Sequence, residues 1–143
     1  MALREYFSWI WLAALVLTYG AYFSAVAVLQ AHGEIPMLTE LGLFLAAVIA
    51  QLVILTVGSI AVRLRDPSLR RKADERDRAI EHRATTAAYY VLIAGMIVVG
   101  CIMPFSKGGW DIVHTALLAI VIAEIVHHGL VAQAYRAGWH PAA

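Results

Sequence analysis

Apolar residues fall in four long blocks, and the polar residues gather between them. Phe7 to Leu29 runs for 23 residues without a charge. Leu41 to Leu64 is the second block, with Gln51 near its middle. The third runs from Ala84 to Met103 and is free of charge. The fourth, Asp111 to Ala134, is not clean: it holds His114, Glu124, His127 and His128. A spanning helix needs about 20 predominantly apolar residues, and each block supplies them. The pattern predicts an all-α, polytopic membrane protein, a single domain over residues 1–143 with four transmembrane helices in two hairpins. The expected spans are 7–29, 41–64, 84–103 and 111–134. Ala25-Val26-Ala27 has the small residues of a signal-peptide cleavage site. A signal peptide's apolar core is only about 7–15 residues long, so the first block reads as a spanning helix.

The stretches between the blocks carry turn and cap signals. Gln30 to Glu40 contains Gly33 and Pro36, and Met103 to Gly109 contains Pro104 and a Gly pair. Asp66-Pro67-Ser68 reads as a turn or helix start. Asp74 is placed to cap a helix whose first turn holds Glu75 and Asp77, where the macrodipole favours acids. No Gly or Pro follows before Gly95, so one helix from about Asp74 to Met103 is expected. At 1.5 Å per residue it would be about 45 Å long, against a hydrocarbon core of about 30 Å. Its first turns should therefore stand in water. Trp9, Trp11, Trp110 and Trp139 lie near block ends, as interfacial aromatics do. Gly20 with Ser24, Ala21 with Ala25, and Gly42, Ala46 and Ala50 recur at four-residue spacing. Such faces let helices approach closely and suit a homodimer.

Charge then orients the helices. Residues 63–83 hold eight of the eleven Lys and Arg and five of the ten acids. The first connection has no Lys or Arg and the third has only Lys107. The positive-inside rule puts the central segment, residues 65–83, in the cytoplasm. With four spans both termini are then cytoplasmic, as Arg4 and Arg136 agree, and the expected location is the inner (plasma) membrane. Hydrophobic residues make up 62% of the chain, above the roughly 45–50% of a soluble domain. The net charge of +1 gives no reason to expect direct nucleic-acid binding. Basic residues between apolar blocks point to the anionic bilayer surface instead. Cys101 is the lone cysteine, which removes any intramolecular disulfide and reads as a small core residue.

The segment Ala73-Asp74-Glu75-Arg76-Asp77-Arg78-Ala79-Ile80 resembles a known pattern. An Asp-Glu-Arg triplet after a basic segment opens the third helix in a family of small prokaryotic four-helix membrane proteins, a domain of unknown function. The resemblance covers roughly residues 63–136. It implies an integral membrane protein of two helical hairpins and a cytoplasmic regulator protein as partner.

Two constellations carry candidate chemistry. Glu124, His127 and His128 share one helical face, with His114 near its edge. Glu124 lies near the middle of its block, where a charge costs about 2.5–3.5 kcal/mol on insertion scales. It is expected to face the bundle interior with a neutral carboxyl, either bonding a polar side chain such as Gln51 or serving a proton-coupled transport path. Glu124-x-x-His127 is also the spacing of helical di-iron ligands, but that site needs a second copy and two further Glu residues. A haem or metal centre on Glu124, His127 and His128 is therefore the weaker alternative, and no cofactor is expected. The second constellation is a docking surface made of Arg70, Arg71, Lys72, Asp74, Glu75, Arg76, Asp77 and Arg78. Its mixed signs suit a specific protein surface better than lipid alone. No phosphate-binding Gly loop, nucleophile elbow or zincin motif occurs. The expectation is a non-enzymatic membrane anchor or regulatory partner.

Overall fold

The computed structural model describes residues 3–65 and 74–139. They form α1 (Leu3–Ala31), α2 (Met37–Arg65), α3 (Glu75–Ile97) and α4 (Trp110–Arg136). A π-helical turn over Val98–Ile102 and a 3-10 turn over Met103–Phe105 extend α3. No strand occurs among the described residues. All four helices are long and apolar enough to cross a membrane. The starts of α1 and α3 and the ends of α2 and α4 lie together at what is here termed the charged end. The two hairpin turns lie at the other.

The helices pack in the order α2, α1, α4, α3. Helix α1 contacts α2 and α4, and α3 contacts α4, while α2 and α3 share no substantial interface. Burial follows this order. The most apolar stretches of α4 and α1 are 39% and 28% buried, those of α2 and α3 only 17% and 6%. One cluster joins Tyr22, Val26, Ala47 and Leu117 across α1, α2 and α4. A second joins Ile80, Ala84 and Val131 between α3 and α4 at the charged end. Small residues allow close approach at two crossings. A Cβ on Gly95 would lie 2.5 Å from the Ala119 Cβ, and one on Gly58 would lie 2.9 Å from Ile10 Cγ2.

The start of α3 follows the sequence expectation. Asp77 N–H donates to Asp74 Oδ1 at 2.8 Å, and Asp74 N–H donates back to Asp77 Oδ2 at 3.2 Å. This is a reciprocal capping box with Asp in place of the usual Glu. Two expectations are corrected. The third helix is not α-helical to Met103, because it widens into a π turn at Val98. Pro104 has no N–H and its ring would clash with the Gly100 carbonyl of a regular helix. The Met103 N–H accordingly bonds to Val98 O, five residues back. The start of α1 and the end of α4 run beside the charged start of α3. Cys101 is exposed rather than a core residue, since α3 buries so little of its circumference.

The ridge of Gly42, Ala46 and Ala50 is exposed on α2 and does not form the α1–α2 contact. That contact uses Leu43, Phe44, Ala47, Gln51 and Leu55, which are wholly or partly buried.

Candidate functional site at the charged end

Adjacent residues of α4 reach in two directions. Successive side chains on a helix are about 100° apart, and α4 is flanked by α1 and α3. His127 turns to α3, where its Nε2 lies 3.1 Å from Glu81 Oε1. His128 turns to α1: its Nδ1 is 3.3 Å from Ser8 Oγ and its ring stacks on Trp11 at 4.8 Å. The Phe7 ring meets the same imidazole edge-on at 6.4 Å. His128 Nε2 is 3.5 Å from Glu124 Oε2, one turn back on α4. Glu81 also accepts Arg4, whose Nη1 is 3.5 Å from Oε2. The result is two polar groups on either side of α4, Arg4 with Glu81 and His127, and Ser8 with His128 and Glu124.

Ser8 and Glu81 belong to the first turns of α1 and α3, where the charged residues end. Glu124 lies one turn beyond His128, about 6 Å deeper. It is the fifteenth of the 27 residues of α4, near the middle of that helix as the sequence expects. Its side chain is 41% exposed, and the partner it meets is His128, not Gln51. The last three turns of α4 lie against the charged start of α3.

Those last turns brace α3. The Tyr135 hydroxyl donates to Asp77 Oδ1, and Arg76 Nε donates to the Trp139 carbonyl at 2.8 Å. Arg4 Nη1 donates to the Asp77 carbonyl at 3.3 Å. The Arg83 guanidinium lies 5.3 Å from the centre of the Trp139 ring, and Arg136 lies 4.7 Å from that of Trp9. Of the expected docking residues, Arg76 and Asp77 thus face inward and hold the helix. Asp74, Glu75 and Arg78 are exposed. Arg70, Arg71 and Lys72 lie outside the described residues.

The remaining polar candidates are elsewhere. Gln51, 7% exposed, is buried on α2, and neither end of its amide has a partner among the described residues. Thr18 Oγ1 and the Tyr22 hydroxyl on α1 are likewise buried without one. His114 stands near the hairpin end with its ring 5.8 Å from Tyr22 and 5.9 Å from Trp110. Between this group and the charged end lie Ala14, Leu15 and Val121, all buried. Trp11 and Thr18 are about 10 Å apart along α1, so an apolar layer divides the polar interior in two.

Glu81 with His127 and Glu124 with His128 are two separate pairs. They do not converge, and no group of three or more His, Cys, Asp and Glu among the described residues is placed to hold a metal ion. Sequence reasoning missed Ser8, Trp11, Glu81 and Arg4 as members of the site. Arg4 and Glu81 offered only their charge at block edges as a signal, and Ser8 offered none.

The fold and site define a multi-pass, four-helix membrane protein with a braced charged end. No known family model, curated protein or solved structure matches the chain.

Proposed function

We propose that this is a non-enzymatic inner-membrane protein of a prokaryote, with its charged end in the cytoplasm. It acts as an anchor or regulatory partner for a cytoplasmic protein through residues 63–83. The observation that carries this reading is the bracing of α3. A merely topogenic loop needs basic residues but no fixed surface. Here Asp77, Glu81 and Arg76 are spent on contacts with α1 and α4. That leaves Glu75, Arg78 and His82 exposed at positions i, i+3 and i+7, on one face of a capped helix. A rigid surface of mixed charge favours one partner over others, because like-charge juxtaposition rejects wrong ones. The Asp-Glu-Arg resemblance, with its implied cytoplasmic regulator, points the same way.

Reporter fusions and in-membrane photocrosslinking test this together. Fusions after residue 35 should report the periplasm and fusions after residue 70 the cytoplasm. A photoreactive residue at position 78 or 82 should trap one discrete polypeptide, and Glu75→Lys should abolish the adduct. The same group at position 90 should trap none. Reversed fusion signals would overturn the orientation. Adducts that ignore Glu75→Lys would overturn the docking surface.

A further inference from the structure

A cavity of about 340 Å³ opens at the charged end where α2 and α3 fail to meet. Its polar lining is Arg4 and Ser8 of α1, Ser59 and Arg63 of α2, Glu81 of α3 and His128 of α4. The rest is apolar: Phe7, Ile10 and Val62. Its volume is in the range of small-ligand pockets, about 300–1,000 Å³. Two arginines from different helices, Arg4 and Arg63, line it with a single carboxylate. That carboxylate, Glu81, is already engaged by Arg4 at 3.5 Å and by His127 at 3.1 Å. Arginine presents planar, bidentate donors that match phosphate oxygens, and hydroxyls complete such a site. The cavity also sits where the charged residues of α1, α2 and α3 give way to apolar ones, as they do at the level of a phospholipid headgroup. Phe7, Ile10 and Val62 suit the glycerol and the first methylenes.

From these features we infer that the cavity is a specific site for one anionic phospholipid, its phosphate held by Arg63 and Arg4 and its chains leaving through the cleft between α2 and α3. The recognised chemistry is a phosphate ester. The membrane lipid is favoured over a soluble ester because a third of the named lining is apolar and the mouth lies where charged residues give way to apolar ones along α1, α2 and α3. This site shares Arg63 and Glu81 with the 63–83 segment but not the exposed face of Glu75, Arg78 and His82, so crosslinking at 78 or 82 and lipid retention can fail independently.

The test uses the full chain in detergent, with retained lipid counted by native mass spectrometry. Phosphatidylglycerol and phosphatidylcholine with the same acyl chains are offered in equal amounts. One phosphatidylglycerol per chain should be retained, favoured about tenfold, the scale of one charge-assisted bond. Arg63→Gln should lose that preference. Ser59→Leu, which fills the cavity without changing charge, should lose it too. Arg78→Gln, on the outer face of α3, should behave as the unsubstituted protein. Equal retention of phosphatidylcholine, full retention by Arg63→Gln, or an equal loss in Arg78→Gln would overturn the site. Displacement of the lipid by millimolar glycerol phosphate would overturn the lipid as its ligand. Arg63 is exposed, so its substitution reads out binding even if Ser59→Leu misfolds.

Discussion

Gly95 sets how closely α3 and α4 approach. A Cβ there would meet the Ala119 Cβ at 2.5 Å, a distance that only helix displacement relieves. Gly58 is less constrained, because its obstacle is the end of the flexible Ile10 side chain. Gly42 has nothing within 4 Å. Thermal unfolding in detergent should therefore rank three substitutions. Gly95→Ala is expected to destabilise by about 1–3 kcal/mol, as overpacking does. Gly58→Ala should cost less, and Gly42→Ala should be neutral. Equal effects at all three would mean that α3 and α4 do not pack through Gly95. The same scale explains the histidine pair. His127 and His128 are neighbours in sequence, yet one serves Glu81 on α3 and the other Ser8 and Trp11 on α1.

At the scale of elements, α3 depends on its ends. Its apolar part is little buried, so packing contributes less to it than to α1 or α4. Its start is fixed by the Asp74–Asp77 capping box and by Tyr135 and Arg76. Asp74→Ala should remove the cap at a cost of about 1 kcal/mol. Faster hydrogen exchange is expected at the amides of residues 77–81, with α4 unchanged. Unaltered exchange would assign the order of this segment to α4 alone. At its other end, Pro104 converts the last turns of α3 to a wider helix before the hairpin.

At the scale of the molecule, the polar interior is discontinuous. Glu124 and His128 communicate with the charged end, while Thr18, Gln51, Tyr22 and His114 lie beyond the layer of Ala14, Leu15 and Val121. A proton relay needs groups within hydrogen-bond reach of one another, and this layer interrupts it. Liposomes containing the protein should show proton flux no greater than empty ones, and Glu124→Gln should leave that flux unchanged. Flux above background that Glu124→Gln abolishes would restore the transporter reading over the anchor reading. Helices α2 and α3 are the flanks of the molecule, and the exposed Gly42, Ala46 and Ala50 ridge on α2 is the face that a homodimer would use.

The sequence alone determined the four helices, because uninterrupted apolar length is what a bilayer demands of a spanning segment. It also located the cap at Asp74 and the turns at Pro36 and Pro104, which are local steric and hydrogen-bonding effects. It did not determine which helices are neighbours. Lipid is as apolar as leucine, so no polar face on a membrane helix marks the side turned from the core. Val57 and Leu17 are well exposed and Leu15 is buried, with nothing in their chemistry to separate them. Only the tertiary packing offset α4 against α3. It also gave Glu124 the partner His128 on its own helix rather than Gln51 on α2.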